Sequence, residues 1–373
     1  MIIIHIETPS LVQARAHAQQ PQISAQAAIV MEAGTNRVLY EKNIHKRLAN
    51  ASTTKILTAI IAIEHGKLSD MVRSSANAAK VGGSSIWLTE GEILSMEELL
   101  YGLMLNSGND AAVAIAEHIS GSVEGFAALM NKKAREIGAI NSNFVNPHGL
   151  PDDNHYTTAY DLALIASYAM KNPIFRKIVS TEKRRISWPG HEWDRILINK
   201  NKLLSQYQGA NGIKTGYTKK AGRCLVAAAQ RNNMQLISVV LNCQPMFEES
   251  IVLLDHAFDR FKPQPIIKKD RVLKQVKIEK GEEKNVQLVA DKDIILPLAP
   301  GEINHVRVFI DYPKYILAPV HRGKQYGTIK VKLHNKDIAS CALVAQRDIR
   351  EKSFTKSIRS LLNQWVNRKY IGG

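Results

Sequence analysis

The hydrophobic period of this chain changes twice along its 373 residues, and that constrains its fold more than any other feature. From Ser52 to Met170 apolar residues recur mostly at helical spacing. From Ile213 to Asn242 they run as strands, and from Ile266 to about Val344 they alternate in short segments broken by Gly, Pro and Asn. A helical region, a set of strands and a small all-β domain follow one another.

Local signals give the elements. Ala27 to Glu32 and Arg37 to Glu41, around Gly34-Thr35-Asn36, predict a hairpin at the edge of a sheet. A helix beginning near Ser52 carries Ile56, Leu57, Ile60, Ile61 and Ile63 to a stop at Gly66. Ser95-Met96-Glu97-Glu98 is a capping-box pattern opening a helix that stops near Asn106. Ser107-Gly108-Asn109 therefore falls on the turn before the next helix, Asp110 to Ile119. A further helix spans Val123 to Ile137, and Thr158-Ala159-Tyr160-Asp161 reads as a second capping box that starts a helix to Met170, with Asp161 as a cap. Cys224 to Gln230 and Met234 to Asn242 are joined through Arg231-Asn232-Asn233 as a hairpin, and Glu248 to Phe261 is again helical. Lys262-Pro263-Gln264-Pro265 marks a domain boundary.

Hydrophobic residues at 45% and charged residues at 23% fit an ordered soluble protein, and no run of 18 apolar residues is present to span a bilayer as a helix. The net charge of +16 is uneven: from Pro263 onward 22 Lys or Arg face 11 Asp or Glu. Such a basic region suits an anionic partner, phospholipid headgroups or nucleic acid. The lysines are scattered rather than interleaved with aromatics, which favours membrane or wall over nucleic acid. Cys224, Cys243 and Cys341 form no CxxC pattern and no even disulfide set, and they read as small buried residues.

The two ends are distinctive. Ala16-His17-Ala18 before Gln19-Gln20-Pro21 resembles a signal-peptidase site, although His5, Glu7 and Pro9 interrupt the apolar stretch it needs. Residues 1–24 are read as the remnant of a secretory signal and tail, against a plain disordered tail. At the other end Phe354, Ile358, Leu361, Leu362 and Trp365 form one apolar stripe, with Lys352, Lys356, Arg359, Arg368 and Lys369 mostly off it. Residues 350–370 are read as an amphipathic membrane-associating helix; the competing reading packs the stripe on the β domain.

Chemistry concentrates in three places. Ser52-Thr53-Thr54-Lys55 sets a weak nucleophile and a candidate base one helical turn apart, near a helix N-terminus whose dipole favours negative charge on the serine oxygen. The same Ser-x-x-Lys spacing occurs at Ser180 to Lys183 and at Ser353 to Lys356, so the triplet alone says little. What distinguishes Ser52 is its sequel: Ser107-Gly108-Asn109, then Lys214-Thr215-Gly216. No histidine or carboxylate cluster has metal-ligand spacing, so neither metal nor cofactor is expected.

Taken together, Ser52-x-x-Lys55, Ser107-x-Asn109 and Lys214-Thr215-Gly216 match the signatures of serine penicillin-recognising enzymes. The chain resembles the D-alanyl-D-alanine carboxypeptidase family of low-molecular-mass penicillin-binding proteins. The likeness runs from Ala25 to Trp365. It includes Leu48-Ala49-Asn50-Ala51, the Asn146 to Leu150 loop, Thr157-Thr158-Ala159-x-Asp161, Ala221-Gly222-Arg223 and Ala318-Pro319-Val320.

The resemblance implies an α+β fold. A transpeptidase/β-lactamase-like domain over 25–262, an antiparallel sheet flanked by helices plus a helical lobe, precedes a small all-β domain over 266–345 and the C-terminal helix. It implies that Ser52 is acylated, that Lys55 accepts its proton, that Ser107 relays a proton to the leaving amine, and that Asn109 orients Lys55 and the substrate. Lys214 and Thr215 would hold the substrate carboxylate. Gly216 would let the substrate backbone approach as an added strand, and the N–H groups of Ser52 and Tyr217 would form the oxyanion hole. The implied partners are peptidoglycan stem peptides, β-lactam antibiotics as covalent inhibitors, and an anionic membrane surface outside the cytoplasm.

Some relatives carry a basic residue where this chain has Pro245-Met246-Phe247, and proline where it has Asn50. His148 reads as a loop-ordering group. The alternatives are a β-lactamase, for which no Glu-x-x-x-Asn element lies between Ser107 and Lys214, and a non-catalytic wall- or membrane-binding protein on the same fold.

Overall fold

The structure, a computed structural model, describes residues 20–352. These residues fall into two compact units that divide between Lys262 and Pro263. The amphipathic helix expected over 350–370 lies outside the described residues from Ser353 on, as does the secretory-signal reading up to Gln19.

The first unit is built on a five-stranded antiparallel sheet in the order Arg37–Lys42, Ala27–Glu32, Met234–Leu241, Gly222–Arg231, Ala210–Thr218. The two ends of the unit thus meet in one sheet. Its central strands carry continuous buried runs, such as Ala27–Met31, Cys224–Ala229 and Leu236–Leu241, rather than alternating ones, because both faces are covered. Ala27, Ile29 and Met31 join the large core of the helical region, while the intervening Ala28 and Val30 are equally buried but outside that core. The helix Met246–Arg260, with Leu253, Leu254 and Ala257 buried, packs on the same strands. Asn232 and Asn233 both have positive φ (49° and 60°), as the two-residue turn between Arg231 and Met234 requires.

Around this sheet lie the helices Lys55–His65, Met96–Tyr101, Asn109–Ser120, Val123–Ile137 and Ala159–Ala169. The Ser95 capping box forms with both of its bonds, Glu98 N–H to Ser95 Oγ and Ser95 N–H to Glu98 Oε2. The expected second box is only half present. Thr158 Oγ1 accepts from Asp161 N–H, but the Asp161 carboxylate turns away to accept from Asn141 N–H and Ser142 Oγ, each at 2.7 Å. Asp161 therefore anchors a loop rather than closing a cap. The hairpin Lys183–Ile186 with Arg195–Ile198 has no counterpart in the sequence reading, since its arginine-rich first strand shows no apolar alternation.

The second unit is all-β. Six strands form one sheet in the order Val306–Asp311, Gln325–Leu333, Lys336–Ala345, Asn285–Ala290, Val272–Glu279, Tyr315–Leu317, antiparallel except for the last pair. Lys262–Ile267 pairs with Ile294–Leu298 in a smaller sheet. The unit has its own apolar core, including Ile267, Leu288, Leu296, Ile329, Leu343 and Ile349. All three cysteines are free and buried.

Candidate active site

Ser52 stands on a tight turn, not inside an α-helix. Ala51–Thr54 form a 3-10 turn, and the α-helix begins at Lys55. In 3-10 geometry residues i and i+3 eclipse, so Lys55 rises directly over Ser52. The turn is strained, since Ala51 has φ 49° in the left-handed region that costs a residue with a Cβ of order 1 kcal/mol. Asn50 holds it: its buried amide donates to the hydroxyls of Thr53 (3.2 Å) and Thr54 (2.9 Å), and its carbonyl accepts from Thr53 N–H and Oγ. Its φ of −122° is outside the range of proline, so here hydrogen bonds replace a ring.

The loop 146–150 sits on this turn as a saddle. Pro147 O accepts from Thr58 Oγ1 at 2.7 Å and His148 O from Lys55 Nζ at 2.8 Å. Gly149 has φ +84°, and a Cβ there would stand 1.8 Å from Ala51 O, which leaves glycine as the residue that fits.

Lys55 is fully buried, and its ammonium nitrogen has three neighbours: Ser52 Oγ at 2.9 Å, Asn109 Oδ1 at 2.7 Å and His148 O at 2.8 Å. Burial holds its pKa well below the usual lysine range, and the positive charges of Lys214 and Lys200 push the same way. Asn109 is fixed on its other side, where Nδ2 donates to Gly82 O at 2.6 Å.

Ser107 is buried and has φ 66°, at the end of a π-helical stretch, Gly102–Asn106, that continues the helix Met96–Tyr101. Such π-turns and left-handed residues are concentrated at functional sites. Sequence reasoning passed over Asp110, the next residue after Asn109. Its buried carboxylate accepts from Ser85 Oγ and from the N–H groups of Ile86 and Leu88, which folds the loop 82–88 against Ser107-Gly108-Asn109.

Lys214, Thr215, Gly216 and Tyr217 lie on the edge strand Ala210–Thr218. Lys214 is buried, its Nζ donates to Thr215 O at 2.9 Å, and burial together with Lys200 lowers its pKa to about 7. Lys200 was also missed by sequence reasoning; partial desolvation lowers it as well, and its charge bears on both buried amines. Tyr217 is exposed, with the Arg223 guanidinium 5.7 Å from its ring centroid.

Gly216 lies against the serine turn. A Cβ at Gly216 would stand 3.0 Å from Ser52 N, 3.1 Å from Ala51 Cβ and 3.2 Å from Asn50 O. The missing side chain leaves room for the serine turn. Gly216→Ala is expected to shift the edge strand from Ser52 by a few tenths of an ångström and to lower kcat about tenfold with the fold intact, since misplacement by about 1 Å costs about 100-fold. Steady-state kinetics beside a circular dichroism spectrum checks this; a kcat within threefold of wild type would contradict it.

Two histidines lie behind the serine turn. His148 Nδ1 accepts from Leu150 N–H, and its pKa is lowered to about 3 by burial, then by Lys55 and His155. His155 Nδ1 accepts from Val145 N–H, so Nε2 carries the proton and donates to Thr54 Oγ1 at 2.8 Å; burial lowers its pKa to about 4. Both rings are neutral in the fold and protonate near pH 6.5 when unfolded. Their contribution to stability is thus complete above pH 6.5 and is lost as pH falls towards 4 and 3. Between pH 7 and pH 5 each histidine is expected to cost about 2 kcal/mol, and His155→Gln should remove about half of that loss in thermal melts of the first unit. An unchanged pH dependence in the variant would refute the assignment.

A five-stranded sheet and a helical lobe that meet over a half-buried serine hydrogen-bonded to a buried lysine define the class of serine penicillin-recognising enzymes. Within that class the chain belongs to the D-alanyl-D-alanine carboxypeptidase family, whose model matches residues 14–245; residues 261–351 match the penicillin-binding protein 5 C-terminal domain. The chain is 37% identical to the D-alanyl-D-alanine carboxypeptidase DacF of Bacillus subtilis over 92% of its own length and 91% of the relative's. For DacC of Escherichia coli the figures are 31%, 93% and 89%. Among solved structures, penicillin-binding protein 5 of Haemophilus influenzae superposes with a TM-score of 0.74 at 31% identity, covering 90% of this chain and all of that one. PBP3 of Streptococcus pneumoniae gives 0.75 at 27% identity, over 88% of this chain and all of that one.

Proposed function

We propose that this enzyme removes the terminal D-alanine from peptidoglycan stem pentapeptides through an acyl-enzyme on Ser52, and that β-lactams acylate the same oxygen. The observation that carries the mechanism is the set of partners around Lys55 Nζ. Asn109 Oδ1 and His148 O can only accept, so each takes one N–H of the amine. In the neutral amine the remaining direction is the lone pair, and it faces Ser52 Oγ at 2.9 Å. Burial keeps that neutral form accessible.

The steps follow. Ser52 Oγ attacks the carbonyl of the penultimate D-alanine while its proton passes to Lys55 Nζ. The oxyanion is received by the N–H groups of Ser52 and Tyr217, each such donor being worth about 3 kcal/mol. Ser107 passes a proton to the nitrogen of the departing D-alanine, whose carboxylate rests on Lys214 and Thr215. Water then hydrolyses the ester and frees Ser52. Two assays test the reading together: free D-alanine released from a pentapeptide, and the intact mass after brief exposure to benzylpenicillin. A persistent adduct with D-alanine release supports it; rapid drug hydrolysis without a trapped adduct would indicate a β-lactamase, and neither signal a non-catalytic protein.

The substrate lies outside the cytoplasm, and so does the enzyme. Among the described residues no helix is long and apolar enough to cross a membrane. We assign attachment to the sequence stripe of Phe354, Ile358, Leu361, Leu362 and Trp365, which with its flanking basic residues suits an anionic membrane surface. A shortened chain for testing this should end at Lys352, because Ile349 belongs to the β core and Glu351 bridges Gly281. It is expected to bind anionic vesicles at least about tenfold more weakly than the full chain in a sedimentation assay. Equal binding would remove the tether.

A further inference from the structure

Three of the four tryptophans gather in one place that the mechanism does not use. Trp87 lies in the loop 82–88, and Trp188, His191 and Trp193 lie on the tip between the strands Lys183–Ile186 and Arg195–Ile198. The rings form a ladder. Trp87 and Trp188 have centroids 6.4 Å apart with planes 26° apart, Trp188 and His191 are 4.1 Å apart, and His191 and Trp193 are 6.1 Å apart. Trp87 and Trp193 are 62% and 63% exposed, a costly placement for the largest apolar side chains.

The fold builds this exposure. The Arg195 guanidinium, nearly fully buried, meets both oxygens of Glu92 at 2.6 and 3.0 Å and also donates to Ser187 O and Trp87 O. One ion pair thereby locks the hairpin tip to the loop, with the guanidinium 4.9 Å from the Trp188 ring centroid. Trp87 itself is left-handed, at φ 59°. The ladder is continuous with the catalytic wall: Asp110 binds the N–H groups of Ile86 and Leu88 on either side of Trp87, and Ile198 N–H donates to Asn106, next to Ser107.

The chemistry of the face selects its occupant. Flat π faces bordered by the exposed polar side chains of His191, Glu192 and Asp194 suit a pyranose ring, whose axial C–H groups pack on the negative ring face while its equatorial groups hydrogen-bond at the rim. Glu192 and Asp194 oppose an anionic membrane. Ile196 and Ile198 alternate with buried Arg195 and Leu197, so they face the other side of the hairpin.

We propose that the Trp87–Trp188–His191–Trp193 ladder binds the N-acetylated amino-sugar rings of the glycan that carries the stem peptide. This deepens, and rests on, the carboxypeptidase reading above. Trp193→Ala is expected to leave kcat/KM for a sugar-free pentapeptide, and the rate of benzylpenicillin acylation, within twofold of wild type. For the same pentapeptide on a glycan oligomer kcat/KM should fall about tenfold through KM, with Trp193→Phe restoring most of it. Titration of the Ser52→Ala enzyme with the N-acetylglucosamine tetrasaccharide, followed by NMR, should show binding that Trp193→Ala weakens about tenfold. Equal losses on both substrates, no loss on either, or no tetrasaccharide binding would overturn the proposal. If wild type releases D-alanine from neither substrate but Trp193-dependent tetrasaccharide binding persists, the carboxypeptidase reading fails and the sugar platform stands.

Discussion

Ser52→Ala is expected to form no adduct with benzylpenicillin and to lose D-alanine release by about 10,000-fold or more, with unchanged folding. The loss is large because no other group can take over the covalent step. Ser107, the second hydroxyl that family resemblance places in the site, sits on a left-handed turn of its own rather than at the head of the Lys55 helix. Folding should survive because the substitution removes one of three partners of Lys55, leaving Asn109 Oδ1 and His148 O in place. Any residual rate would come from the oxyanion donors and substrate binding, which the variant keeps. Intact-protein mass over time and an assay for free D-alanine, each beside a thermal melt, make the comparison. A Ser52→Ala protein that still carries one drug molecule per chain would place the nucleophile elsewhere.

Lys55→Met should cost about 1,000-fold in the rate of acylation, within the range of a lost general base. Methionine fills similar volume, and the two carbonyls that lose their donor face a thioether that cannot donate, so a modest fall in stability accompanies the kinetic one. The pH profile carries the finer prediction. In the proposed mechanism acylation needs Lys55 neutral, so kcat/KM is expected to rise with pH along a limb well below the ordinary lysine range. The substrate carboxylate in that mechanism rests on charged Lys214, and with its pKa at about 7 the free enzyme is expected to lose affinity as pH rises through neutrality. The two amines titrate as a coupled pair, so the limbs belong to both. Lys200→Met removes a positive charge that lowers each of them, and should move both limbs to higher pH. Limbs that stay in place in this variant would separate Lys200 from the site; limbs that persist unchanged in Lys55→Met would remove Lys55 from the base role.

The same physics explains where the linear chain was legible. The Ser95 box, the Asn232-Asn233 turn and the helix Val123–Ile137 depend on side chains a few residues apart, and each formed where its residues predict. Ser52 and Lys55 are three residues apart, so their approach was also local. Asp161 shows the limit: its position fits a cap, yet its carboxylate is claimed by Asn141 and Ser142, some twenty residues away in sequence.

What remained hidden depends on long-range approach. Nothing in the sequence near Asp110 indicates that its carboxylate folds the loop 82–88, or near Lys200 that its charge bears on Lys55. Gly216 was legible as a glycine needed for close approach, but only packing shows how near the serine turn stands to it. The Trp87–Trp193 ladder joins segments about a hundred residues apart through an Arg195–Glu92 pair that no periodicity encodes. Local propensity and spacing therefore determined the elements and the order of the three motifs. Burial, which strips water from Lys55, Lys214, His148 and His155 and so sets their protonation, exists only once the sheet and the helical lobe have closed around them.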